Sequence, residues 1–209
     1  MKPGIIVAMD SEFEALRLSG LHELERSGVG KANAARATAE MILSMRPDCI
    51  ISSGVAGGIG AGVKQGDVVA ATASAYHDVW CGEGYLPGQV MGCDRFFPSD
   101  SALIEKVKAI SEGQPMTVHT GLICTGDRFL TTPQEAASVL SLYPDGLACD
   151  MESAAIAQTC LHYGVPFLSL RVISDTMATE EEQKLSYENF WQTITAQSFA
   201  FLKQLIDSL

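Results

Sequence analysis

Val165-Pro166-Phe167-Leu168-Ser169-Leu170-Arg171-Val172-Ile173-Ser174-Asp175 is the most apolar strand-like run in the chain. It is nearly continuous rather than alternating, as a strand covered on both faces requires. Shorter runs of the same kind precede it: Gly4 to Met9, Asp48 to Ser53, Gly66 to Ala73, Thr117 to Thr125 and Leu147 to Glu152. Helical stretches lie between and after them, at Asp10 to Leu18, Ala32 to Met45, Pro98 to Ser111, Pro133 to Leu142, Ser153 to Tyr163 and about Tyr187 to Ile206. In the second, Ala34, Ala37, Met41 and Met45 form one apolar stripe; in the last, Phe190, Ile194, Phe199, Leu202 and Leu205 do the same. Doubly buried strands alternating with helices predict an α/β protein: a single-domain three-layer α/β/α sandwich around a mixed, largely parallel twisted sheet, spanning residues 1–209.

The remaining bulk properties narrow the function. The 209 residues suit one domain with a full core. Lys and Arg number 14 against 25 Asp and Glu, a net charge of −11. A nucleic-acid partner needs a basic surface to displace counterions, so none is expected, and anionic membranes are disfavoured for the same reason. No run of about 18 apolar residues is present, and acidic residues follow the first apolar stretch, so neither a transmembrane helix nor a secretory leader is read and the expected location is cytoplasmic. Cys49, Cys81, Cys93, Cys124, Cys149 and Cys160 are scattered, with no CxxC pair and no close His. They read as free thiols, with no metal and no cofactor implied.

In open α/β sheets ligands bind beyond the carboxyl ends of the strands. The segments there are Met9-Asp10-Ser11-Glu12, Ser53-Gly54-Val55-Ala56-Gly57-Gly58, Thr125-Gly126-Asp127-Arg128-Phe129, Asp150-Met151-Glu152 and Ser174-Asp175. Four of the five carry a carboxylate and two carry glycine, a pattern that suits acid–base chemistry beside exposed backbone. Each piece also has a plain alternative: Asp175 as a helix N-cap, Glu12 on a solvated face, Glu152 at a helix start, the glycine run as a turn. Gly28-Val29-Gly30-Lys31 before a helix mimics a phosphate loop but lacks the spacing and the hydroxyl residue after Lys31. No GxGxxG follows the first strand, and His22, His77, His119 and His162 lie in dissimilar contexts.

The order of these pieces resembles the nucleoside phosphorylase and nucleosidase superfamily, and most closely its 5′-methylthioadenosine/S-adenosylhomocysteine nucleosidases. The matching pieces are Gly4 to Met9 with Glu12, Ser27-Gly28-Val29-Gly30-Lys31, Ser53 to Gly58, Gly66 to Val69, Tyr76-His77-Asp78, Thr125 to Phe129, Asp150 to Ala155 and Arg171 to Asp175. The resemblance implies hydrolysis of the N-glycosidic bond between adenine and a 5′-thio-substituted ribose. It implies Asp175 as the acid that protonates adenine N7 and Glu12 as the base toward water. Glu152 would accept the ribose hydroxyls, and Met151 would pack on the sugar. Phe129 would stack on adenine while the backbone of Leu130 reads its edge. Val55, Ala56 and Gly57 would line the site, and Arg171 and Ser174 would hold carboxylates and water in place. It also implies a homodimer, for which the apolar last helix and the Trp80–Tyr85 loop offer surface.

Three departures from the family pattern stand out, one of them Met91, in the loop from Val79 to Gly92, where a Pro is common. The segment between Leu18 and Ser27 is short, with one or two early strands expected to be missing. Val55 stands where a Ser is common, removing a hydroxyl from the water site. Two rival readings remain open: a phosphate-dependent phosphorylase of the same superfamily, and a non-catalytic nucleoside-binding protein. Asp10-Ser11-Glu12 repels an anion and so favours water over phosphate.

Overall fold

The computed structural model describes residues 1–21, 23–176 and 196–209. His22 and the first part of the expected last helix, with Phe190 and Ile194, lie outside the described residues.

Three strands form one half of the sheet. β1 (Pro3–Val7) pairs in parallel with β3 (Cys49–Gly58), and β3 pairs in parallel with β8 (Phe167–Thr176). β2 (Leu24–Arg26) lies on the outer edge of β1, also parallel. The shortened segment after the first helix therefore still supplies a three-residue strand. In the other half, β4 (Val68–Tyr76) is parallel to β6 (Val118–Thr125), and β6 to β7 (Gly146–Asp150). Three antiparallel contacts complete the sheet: β3 with β7, β4 with β8, and β4 with the short β5 (Phe97–Pro98).

The sheet is thus mixed and largely parallel, and it also closes. β3, β8, β4, β6 and β7 each hydrogen-bond to the next, and β7 returns to β3 at Gly57↔Cys149 and Gly58↔Ala148. The interior of that ring is filled by small and branched side chains from all five strands: Ala56, Val69, Ala71, Ile123, Ala148 and Ile173. Outside it lie two helical layers. On one face Ile5, Ile51, Leu168 and Leu170 pack against α3 (Ser101–Ser111) and α6 (Ala196–Asp207) through Leu103, Val107, Phe199 and Leu205. On the other, Ile6, Ile50 and Phe167 pack against α2 (Lys31–Met45) and α5 (Ser153–Tyr163) through Ala34, Met41, Ala154 and Ala157. α1 (Asp10–Leu18) follows β1, and α4 (Pro133–Leu142) follows β6.

Local chemistry sets the boundaries. α3 starts at Ser101, not Pro98, because the Asp100 carboxylate accepts the backbone N–H groups of Ala102 and Leu103 at 2.9 and 3.0 Å. α4 opens on a reciprocal box in which Thr132 and Glu135 each accept the other's backbone N–H. The glycine run after Ser53 is not a turn. It continues β3 to Gly58, because β8 runs alongside and pairs with it from Ile50↔Phe167 to Gly58↔Thr176. Among the described residues of α6, Phe199, Leu202 and Leu205 are nearly fully buried in the core, so these three side chains are not presented to a second chain.

Candidate active site

The carboxyl ends of β1, β3, β7 and β8 converge on a cavity of about 400 Å³. Ala8, Met9 and Glu12 come from the end of β1 and the start of α1. Val55, Ala56 and Gly57 come from β3, Arg128, Phe129 and Leu130 from the segment after β6, Cys149 to Glu152 from the end of β7, and Ser174 and Asp175 from β8. Val29, ahead of α2, completes the wall. Every residue to which the resemblance assigns a place in the site lines this cavity except Arg171, which lies behind it with 1% of its side chain exposed.

Arg171 organises that rear wall. Its Nε donates to Asp150 Oδ2 at 2.7 Å, Nη1 to the Ser53 carbonyl at 2.7 Å, and Nη2 to Ser52 Oγ at 2.9 Å and Ser153 Oγ at 3.3 Å. Nη2 also lies 3.6 Å from Glu152 Oε2. A buried guanidinium that makes four hydrogen bonds and has carboxylates on two sides meets the requirement for burying a charge. The approach explains Gly54: a Cβ there would lie 2.5 Å from both Arg171 Nη1 and Glu12 Oε1, and its φ is +144°. Asp150 is likewise saturated, accepting from Thr125 Oγ1 at 2.6 Å, from the N–H and hydroxyl of Ser153, and from Arg171.

Glu12, 1% exposed, sits at the third position of α1. Its Oε2 accepts the N–H groups of Ala8 and Met9, each at 2.9 Å, and its Oε1 accepts Val55 N–H at 3.0 Å. The Val55 position thus serves Glu12 through its backbone, which no side-chain hydroxyl is needed to do. Burial pushes the Glu12 pKa up, against the opposing Arg171 charge and these three N–H groups. Glu152 Oε1 accepts Gly30 N–H at 3.0 Å. Burial pushes its pKa up to about 7; Arg171 and the Gly30 bond pull down, while Asp150 and Glu12 push up. Asp175 is 1% exposed, and Ser174 Oγ donates to its Oδ1 at 2.5 Å.

Other motifs resolve differently. Gly28-Val29-Gly30-Lys31 does open α2, but its N–H groups already serve carboxylates: Gly30 serves Glu152, and Lys31 donates to Asp127 Oδ1 at 2.7 Å. That is the reverse of a phosphate cradle. Among the described residues no group of three or more His, Cys, Asp and Glu is placed to hold a metal, and the six cysteines are unpaired. His119 pairs with Asp67 at 2.9 Å, away from the cavity. Ser52, Ser53, Thr125, Asp150 and Ser153, which hold the carboxylates and Arg171 in place, have no supporting role assigned to them in the sequence pattern. The available signal was one arginine inside the most apolar strand, since a buried cation demands buried acceptors.

Residues 23–207 match the family model of the Phosphorylase superfamily. A 5′-methylthioadenosine/S-adenosylhomocysteine nucleosidase of an Exiguobacterium species is 38% identical over 95% of this chain and 94% of its own. The solved structure of the Neisseria meningitidis nucleosidase of that name, in complex with methylthio-immucillin-A, superposes with a TM-score of 0.91 at 38% identity, covering 100% of both chains. The Colwellia psychrerythraea nucleosidase, in complex with adenine, superposes with a TM-score of 0.89 at 32% identity, covering 100% of this chain and 96% of that one. The chain belongs to the Phosphorylase superfamily and, within it, to the family of 5′-methylthioadenosine/S-adenosylhomocysteine nucleosidases.

Two outcomes follow from this geometry. Gly54→Ala forces a methyl group into Arg171 and Glu12 from a backbone conformation that favours glycine. It should cost about 2 kcal/mol or more in urea unfolding; a loss within error of zero would show that the rear wall is not packed as described. The second concerns pH. Glu152 titrates at about 7 in the fold against an ordinary 4.5, so the folded chain keeps a proton that the unfolded chain releases between those values. Its contribution to stability falls as pH rises through that window. Glu152→Gln removes the effect, so the variant should gain on the wild type by about 1–3 kcal/mol between pH 5 and pH 8. Parallel stability–pH curves for the two proteins would contradict the assignment.

Proposed function

We propose that the chain hydrolyses the N-glycosidic bond of 5′-methylthioadenosine and S-adenosylhomocysteine-type nucleosides, releasing adenine and a 5-thioribose. The observation that carries this reading is the convergence of Glu12, Glu152 and Asp175, from three strand ends, on one cavity backed by a single buried guanidinium. As the bond from C1′ to N9 breaks, its electron pair moves to the purine and positive charge develops on the ribose. Asp175 gives a proton to N7, making adenine a neutral leaving group. Glu12 takes a proton from water as the oxygen bonds to C1′, and Glu152 accepts the ribose hydroxyls. Phe129, 52% exposed at the mouth, stacks on the base, Leu130 meets the base edge, and Met151 covers the sugar. Placed charges contribute more to such a dissociative step than a strong nucleophile.

Water is favoured over phosphate by charge. Arg128 is the one cation among the residues described as lining the cavity, and it is ion-paired with Glu135. Arg171 is sealed behind the wall. A phosphate dianion entering beside Glu12 would meet carboxylates with no free cation opposite among the described residues. The solved relatives named above hold adenine or a methylthio nucleoside analogue, in keeping with the same substrate class.

We also infer one functional domain that pairs with a second copy of itself. Trp80, Leu86 and Met91, between β4 and β5, are 68%, 56% and 61% exposed, an apolar surface that a partner chain would cover. The unpaired cysteines, four of them buried, suit a reducing cytoplasm.

Asp175→Asn should fold and lose about 10²–10⁴-fold in turnover, since an amide supplies no proton. Adenine release from 5′-methylthioadenosine, followed with and without phosphate, is the decisive assay. The reading requires release indifferent to phosphate and a free sugar product. Saturable phosphate dependence with a sugar 1-phosphate would replace it with the phosphorylase, and a fully active Asp175→Asn would remove the acid.

A further inference from the structure

A helix begins with N–H groups that have no partner within the helix. α2 has no capping side chain of its own and no acidic residue in its first turn. Its first donors go instead to carboxylates from elsewhere in the fold: Gly30 N–H to Glu152 Oε1 at 3.0 Å and Lys31 N–H to Asp127 Oδ1 at 2.7 Å. The two donors are consecutive, so the bond to Asp127 helps to set the orientation of the turn that presents the Gly30 N–H to Glu152. Gly30 is confined as well, with φ +96° and a Cβ position 3.0 Å from Asp127 Oδ1.

Asp127 is in turn held from behind. Its N–H donates to Asp78 Oδ2 at 2.8 Å, and Lys31 Nζ bonds both Asp78 oxygens at 2.7 Å while lying 3.8 Å from Asp127 Oδ2. Partial burial pushes the Asp78 pKa up, but the Lys31 bond and the Asp127 N–H outweigh it and hold the carboxyl below its ordinary range. Asp127 is not one of the residues lining the cavity, yet its neighbours Arg128 and Phe129 are.

We propose that Asp127, clamped by Lys31 and Asp78, is a positioning residue that pins the first turn of α2 so that Gly30 holds the Glu152 carboxylate where it meets the sugar. This rests on the reading of Glu152 as the ribose contact. The groups that face Glu152 are Arg171 from β8, Asp150 at the end of β7, Glu12 from α1 and the Gly30 N–H from α2. Arg171 and Gly30 favour its charged form. If the clamp is released the Gly30 bond weakens, and a larger share of Glu152 is protonated near neutrality.

The test is the pH dependence of adenine release from 5′-methylthioadenosine between pH 5 and 9, with thermal midpoints measured alongside, for wild type, Asp127→Ala and Asp127→Asn. Asp127→Ala should move the acidic limb of kcat/KM up by about one pH unit, the size expected when a carboxylate loses one charge-assisted bond. KM below neutrality should rise about tenfold, while kcat above neutrality stays within about threefold. Asp127→Asn should restore the limb, since its amide oxygen still accepts the Lys31 N–H. A folded Asp127→Ala variant with the wild-type profile, or an Asn variant no better than Ala, overturns the inference. If Asp127→Ala melts too early to assay, Lys31→Gln, which loosens Asp78 and keeps both backbone donors, should show the same shift at smaller size, and an unshifted profile there is equally decisive. A wild type that releases no adenine removes the hydrolase reading and this inference with it, whereas an active wild type with unshifted variants removes this inference alone.

Discussion

A guanidinium taken wholly out of water has to be answered by every group around it, and Arg171 sets that demand for this protein. Burying an unanswered charge costs several kcal/mol. The middle of β3, which supplies Ser52 and Ser53, the end of β7, which supplies Asp150, and the helix start that supplies Ser153 are therefore fixed relative to β8 to within a hydrogen bond. The closed ring of β3, β8, β4, β6 and β7 is what brings those ends together. Gly54 is the corresponding constraint on the backbone, because the space a side chain would take is already filled by Arg171 and Glu12.

The carboxylates that face the cavity are held at the expense of the empty fold. Glu152 titrates at about 7 and Glu12 above its ordinary value, in each case mainly because burial disfavours the charge. Both would be easier to bury as amides. Retaining them as acids makes sense if charge appears in the cavity during the reaction, and a ribose that develops positive charge supplies it. The same logic accounts for the α2 terminus: a site crowded with carboxylates uses one of them as the cap its own helix lacks.

Much of this was legible in the sequence, and the part that was not is local in its causes. Val165 to Asp175 reads as a doubly buried strand because its apolar run, as far as Ile173, is long and interrupted only by Ser169 and Arg171. Glu12, Glu152 and Asp175 stand out because each follows such a strand. The ring closure was hidden, since it depends on antiparallel contacts between β3 and β7 and between β4 and β8, segments far apart in the chain. Gly54 to Gly58 reads as a turn in isolation and becomes strand only because β8 lies beside it. The last helix was expected to show an apolar face to a partner, but Phe199, Leu202 and Leu205 fill the core instead. Asp127 and Lys31 carried no signal on their own, because their partners are backbone groups and a carboxylate brought near only by folding.

The proposed reaction depends on electrostatics: Glu12, Glu152 and Asp175, balanced by one cation behind the wall, would stabilise positive charge on the sugar. The most direct measurement is calorimetric binding of two uncleavable 5′-methylthio adenine nucleoside analogues that differ in whether the sugar ring carries a positive charge. The charged analogue should bind tighter by about 10²-fold or more, as expected of a site complementary to the transition state rather than to the substrate. Equal affinity for the two would contradict it.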